Sequence, residues 1–178
     1  ARALEALRLA CLKAPKFGQD DDLADQHAVR MAQAILQEIE EARRRGTADE
    51  ITIFPCVETD MNHLRAGAET GATPDGRPAG QPFSENTSPS PGACTRGLTA
   101  MLRSLAKLPL DQMTSGALNI RLSPKMAAGE EGLQRLGALL RSYLEMGGLQ
   151  VQLSFADAQT LRQAQATPEA YRDLMVRI

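Results

Sequence analysis

Cysteine is scarce in this 178-residue chain: Cys11, Cys56 and Cys94 lie far apart, with no CxxC pair. An odd, sparse set argues against a disulfide framework and reads as reduced cytoplasmic thiols. An excess of one charge is also lacking. Lysine and arginine total 20 against 22 aspartates and glutamates, a formal net charge of −2, so nothing here asks for a nucleic-acid partner. Long apolar runs are missing. The stretch over 149–156 is interrupted by glutamines and is far short of the roughly 20 residues a membrane span requires. The sequence shows no initiator methionine, no signal-peptide pattern and no internal repeat. Ala1 falls inside a helical pattern and Ile178 inside a strand-like one, so the chain reads as an excerpt from a longer polypeptide.

What is present is globular composition, 43% hydrophobic and 24% charged. Leu4, Leu7, Cys11 and Leu12 recur on a helical period over 1–13, and Pro15 ends that run. A turn at Phe17-Gly18-Gln19 leads to Asp20-Asp21-Asp22, one of which is expected to cap a helix running to about Arg45. Val29, Ala32, Ile35, Leu36 and Ile39 share one face of that helix, and Gly46 stops it. Residues 51–57 predict a short buried strand and 60–69 a short helix. Between Gly71 and Gly92, five prolines and four glycines leave no room for a regular element. A loop of about 20 structureless residues inside a domain is usually functional or disordered.

Beyond the loop, helices are expected over 95–107, 129–146 and 157–166, the last capped by Asp157, with a helical turn over 168–172. Strands are expected over 117–123, 149–155 and 174–178. In the 129–146 helix, Leu133, Leu136, Leu139, Leu140 and Leu144 are expected to face inward. The alternation gives an α/β fold of parallel strands with helical crossovers. Four strands cannot close a barrel and leave exposed edges. The chain is expected to be one partial domain over 1–178, with a helical lead-in over 1–46 and alternating strands and helices over 47–178.

Chemistry-bearing residues are few. Asp20-Asp21-Asp22 is either a capped helix start or a cation cluster; capping is favoured because oxygen sites for divalent ions usually space their aspartates along a loop. His27 and His63 lack HxxxH or HExxH spacing, which disfavours zinc. His63 is a core or surface histidine, or a site residue lying just after a strand end. Cys56 and Glu58 are two apart in a strand, so thiol and carboxylate share a face. The alternative is a buried small hydrophobe beside an exposed acid. Cys11 and Cys94 have no acid or base placed by spacing. No GxxxxGK[ST] or GxGxxG occurs, so no phosphate cradle is identified.

Several strings carry a resemblance. Residues 15–22 read PKFGQDDD, residues 70–77 TGATPDGR and residues 88–92 SPSPG. Residues 129–133 read GEEGL, residues 146–148 MGG and residues 171–177 YRDLMVR. In this order they resemble segments of glycyl radical enzymes, the pyruvate formate-lyase superfamily, and most nearly its dehydratase and lyase branch.

The resemblance implies part of a ten-stranded α/β barrel from an anaerobic enzyme. In that family a backbone glycyl radical oxidises a cysteine to a thiyl radical, which attacks a small-molecule substrate to break a C–C, C–O or C–N bond. A separate radical S-adenosylmethionine activating enzyme installs the radical, so the chain itself binds no cofactor or metal. The family's radical glycine motif is expected just beyond Ile178 and its cysteine before Ala1, which leaves the chain inactive alone and without catalytic residues of its own. Where the family often reads QHVQFN, this chain reads Leu149-Gln150-Val151-Gln152-Leu153-Ser154; where LADG is usual, it reads Phe83-Ser84-Glu85-Asn86. The resemblance therefore carries no particular substrate. Cys56, Glu58, Asn119 and Gln152 are the candidate barrel-lining positions, and the proline-rich loop is expected to pack near the radical domain. A homo-oligomer is a further expectation. The alternative is a split or degenerate half-barrel serving as a structural or interaction subunit.

Overall fold

The computed structural model describes residues 2–46 and 53–172. Helix α1 spans Arg2–Lys13 and α2 spans Asp22–Arg44. Strand β1 is Cys56–Val57, followed by α3 (Asn62–Glu69) and α4 (Leu98–Leu105). Strand β2 (Ser115–Leu122), α5 (Gly129–Glu145), β3 (Gln150–Phe155) and α6 (Ala158–Ala166) complete the α-helices and strands among the described residues. Residues 71–92 form no helix or strand, as the density of prolines and glycines requires.

The sheet runs β1-β2-β3, and both pairings are parallel. Cys56 lies opposite Ser115, Ala117 opposite Gln150 and Asn119 opposite Gln152. Alternation divides β2 from Leu118 onward. Leu118, Ile120 and Leu122 turn to one face and join Met101, Leu102 and Leu105 of α4 and Tyr143 of α5 in the core. Val151 and Leu153 of β3 pack on the same cluster. The opposite face carries Ser115, Asn119 and Arg121 beside Gln150, Gln152 and Ser154.

Two capping expectations are met with named atoms. The Asp21 carboxylate accepts from the Leu23 amide at the start of α2, and the Asp157 carboxylate accepts from the Thr160 amide at the start of α6. The Met146-Gly147-Gly148 string also has a physical cause. Tyr143 is fully buried, and a Cβ on Gly148 would lie 2.3 Å from its ring. Only glycine lets β3 begin so close to the tyrosine.

The structure corrects several expectations. Within the expected 51–57 strand, residues 51–52 lie outside the described residues, 53–55 are irregular and only Cys56–Val57 pair. Cys56 is exposed, so it is no buried hydrophobe. Leu133 and Leu144 of α5 are exposed. The face that meets the sheet runs through Gly132, Leu136, Leu139 and Tyr143, and those two leucines sit one residue around the helix from it. On α2 only Val29 of the five expected apolar positions is buried, and Ile35 is exposed. Leu4 and Leu7 of α1 are exposed as well. The expected strand over 174–178 lies outside the described residues.

Candidate functional site

An open cavity of about 990 Å³ lies against the face of the sheet opposite the helical core. The C-terminal halves of β2 and β3 form its floor, through Asn119, Arg121, Gln152 and Ser154. The proline-rich segment forms its wall, with Arg77, Glu85 and the 88–92 stretch among the lining residues.

This segment is irregular but firmly tied. The Thr87 amide and hydroxyl both donate to the Ala117 carbonyl, at 3.2 and 2.6 Å. The Asn119 side-chain amide donates to the Glu85 carboxylate. The Thr59 amide donates to Asn86 Oδ1 at 2.8 Å, and the Asn86 amide donates back to the Thr59 hydroxyl at 3.1 Å. At the far end, Gly18 adopts φ +93° and a Cβ there would lie 2.2 Å from Pro89, so the FG turn seats directly on the SPSPG stretch.

Arg77 accounts for much of the TGATPDGR string. Its guanidinium donates to the carbonyls of Gly67, Thr70, Gly71, Pro78 and Gln81. It also lies 4.3 Å from the centroid of the Phe83 ring. One planar, permanently charged group thus satisfies backbone acceptors that the prolines leave without strand or helix partners. The Thr73 hydroxyl donates to the Asp75 carboxylate, which holds that acid's pKa below its ordinary value.

Of the four candidates named from sequence, Asn119 and Gln152 come together as partners in adjacent strands on the cavity floor. Cys56 and Glu58 are not among the cavity-lining residues. They sit beside the start of β2, where Glu58 accepts from the Ser115 hydroxyl and Cys56 pairs with Ser115 in register. His63 is buried, its Nδ1 3.0 Å from the Asp60 carbonyl and 3.2 Å from the Thr59 hydroxyl, and it borders the cavity. His27 is exposed beside Arg30. Cys94 is an exposed residue whose sulfur nevertheless tucks towards Gly18, and burial pushes its thiol pKa up. That is the wrong direction for a ready thiolate.

The aspartate cluster is filled by a lysine. Lys107 Nζ of the segment after α4 lies 3.0 Å from Asp20, 2.7 Å from Asp22 and 2.7 Å from Asp25. The Ser104 hydroxyl donates to Asp25 at 2.9 Å and accepts from the Asp20 amide at 2.8 Å. The cluster therefore docks α2 on α4, with an ammonium where a cation site would need its metal. Among the described residues no group of histidine, cysteine, aspartate and glutamate side chains is arranged to hold a metal ion.

Sequence reasoning missed Arg121, Ser154, Glu85, Arg77 and Lys107. Arg121 was within reach, because it lies two residues after Asn119 on the same strand face. Glu85 was not, since its contact with Asn119 spans 34 residues of chain.

Comparison with known proteins agrees with this architecture. The family model described as "Glycine radical" matches residues 83–178, and that described as "Pyruvate formate lyase-like" matches residues 2–57. The trans-4-hydroxy-L-proline dehydratase of Clostridioides difficile is 36% identical over 97% of this chain and 21% of its own length. The indoleacetate decarboxylase of Tractidigestivibacter scatoligenes is 37% identical over 94% of this chain and 19% of its own. The glycerol-bound, B12-independent glycerol dehydratase from Clostridium butyricum superposes with a TM-score of 0.88 at 33% identity, covering 99% of this chain and 22% of that one. The chain spans about a fifth of the length of the relatives it matches. The parallel α/β architecture expected for a portion of the ten-stranded barrel is thereby met.

Proposed function

This chain belongs to the glycyl radical family, and from that premise we propose that it forms one wall of the substrate chamber of a glycyl radical lyase or dehydratase. One observation carries the proposal. Helices cover one face of the parallel sheet, while the other face lies open with Asn119, Arg121, Gln152 and Ser154 along a single cavity. In α/β barrels the helices pack outside and the opposite strand face looks inward. Cys56 and Glu58 extend that inward face beside Ser115, towards the start of β2.

In such an enzyme the glycyl radical supplies hydrogen-atom abstraction through a cysteine, and both residues are assigned to segments outside this chain. A radical S-adenosylmethionine activating enzyme is the proposed partner that installs it. The 178 residues contribute position and polarity. Asn119, held by Glu85, and Gln152 present amides to a small substrate, and the segment over 71–92 closes one side against water. The chain on its own is proposed to be inactive, and the working compartment is the reducing cytoplasm. Among the described residues no helix is long and apolar enough to cross a membrane. The substrates named for the relatives include carboxylates and a neutral triol, so substrate choice must rest on residues of this wall and of the remaining polypeptide.

The test is substitution in the complete polypeptide after anaerobic activation. Asn119→Ala and Gln152→Ala should each lower kcat/KM about tenfold or more while leaving the yield of glycyl radical unchanged. Unchanged turnover in both variants would remove these residues from the chamber.

A further inference from the structure

We propose that Arg121 is the anchor for an anionic group, a carboxylate or a sulfonate, at one end of the substrate. This rests on the chamber described above and narrows it to a chemical class. The argument is one of unspent charge. Arg121 lies on the cavity floor, on the open face of β2, directly opposite Ser154 of β3. It makes no ion pair or hydrogen bond among the described residues.

The other charged groups of the cavity are already engaged. Lys16 donates to the carbonyls of Cys11 and Asp75 at 2.7 and 3.0 Å. Arg77 is consumed by backbone carbonyls and the Phe83 ring. The Glu85 carboxylate takes the Asn119 amide, and the Asp75 carboxylate takes the Thr73 hydroxyl. Arg121 is thus the charged residue of the cavity lining that has no hydrogen-bond partner among the described residues.

Its neighbours suit an oxyanion. Ser154 and Gln152 line the same floor, and their side chains have no partners among the described residues. A guanidinium fork with a hydroxyl and an amide on the same strand face offers several donors, which suits the lone pairs of a carboxylate or sulfonate. A neutral polyol would fill the same space without supplying the counter-charge with which a guanidinium makes its strongest hydrogen bonds.

Binding can be measured without the radical, which separates this proposal from the one it rests on. The complete, unactivated polypeptide is titrated calorimetrically with lactate, with the neutral diol 1,2-propanediol of the same carbon skeleton and with methanesulfonate. Lactate or methanesulfonate should bind, and 1,2-propanediol should bind at least about tenfold more weakly. Arg121→Gln should weaken the oxyanion by about tenfold or more, and Arg121→Lys should retain part of the affinity. Equal affinity for lactate and 1,2-propanediol overturns the proposal, as does the absence of any oxyanion binding. So does Arg121→Gln with unchanged probe affinity: a lower melting temperature in that case identifies a carboxylate of the same polypeptide as the arginine's partner. If oxyanion binding follows Arg121 but no radical forms on activation, the anion site stands and the radical chemistry falls.

Discussion

Lys107 meets Asp25 at 2.7 Å across 82 residues of chain, and the Asp25 side chain has no exposure to solvent. This contact joins the first turn of α2 to the segment after α4, and with Ser104 it fixes where α2 leaves the core. Removing one partner of a buried pair leaves the other charge stranded. Lys107→Met should therefore destabilise the protein by about 3 kcal/mol in urea unfolding. Asp22→Asn, at a side chain 85% exposed, should change stability by less than about 1 kcal/mol. Equal effects of the two substitutions would contradict the buried-pair account.

The same cluster sets a pH dependence. The bond from Lys107 holds the Asp20 pKa below its ordinary 3.8, and the Thr160 amide does the same for Asp157. For a depressed acid, the stabilisation is present above its unfolded value and lost as pH falls through the folded one. Desolvation disfavours the Lys107 ammonium, but its bonds to Asp22, Asp25 and Asp20 prevail and raise its pKa above the ordinary 10.5. Its contribution is complete below 10.5 and lost as pH rises through the folded value. Unfolding midpoints should thus show an acid limb below 3.8 and an alkaline limb above 10.5. Lys107→Met should shrink both limbs, and a variant that keeps both at full amplitude would count against this assignment.

Much of the scaffold was legible in the sequence. Helical periodicity located α1, α2, α5 and α6, and the rule that aspartates precede helices found Asp21 and Asp157. Alternation found β2 and β3: Leu118, Ile120 and Leu122 are buried and Val151 and Leu153 pack half-buried on the same core, while Asn119 and Gln152 lie on the other face. The 129–146 helix was found, and Leu136 and Leu139 pack inward as expected, but Leu133 and Leu144 are exposed and Tyr143 holds the fully buried position. The site was less legible. Asn119 and Gln152 shared a guessed face that the register made into a contact. Arg77, Glu85 and Lys107 act through partners that tertiary packing supplies, and no local spacing announces them.

Arg77 provides a direct probe of the irregular segment. Arg77→Lys keeps the charge but loses the planar fork and its stacking on Phe83. Amides that the arginine's fold holds in place, such as Thr73 on the Arg77 carbonyl and Gly80 on the Thr70 carbonyl, should exchange with solvent about tenfold faster. The amides of β2 should be unaffected. Uniform acceleration across both regions would mean that Arg77 supports global stability and not this segment in particular.

The most direct test of the central claim is electron paramagnetic resonance after anaerobic incubation with a cognate activating enzyme, S-adenosylmethionine and a reductant. Two samples are compared: the complete polypeptide that carries these residues, and the 178-residue chain alone. The account predicts a carbon-centred doublet from the first and none from the second. A glycyl-type doublet from the 178-residue chain would contradict the placement of the radical residue outside it. A complete polypeptide that stays silent with every activating enzyme tried would contradict the enzyme account and leave a structural subunit in its place.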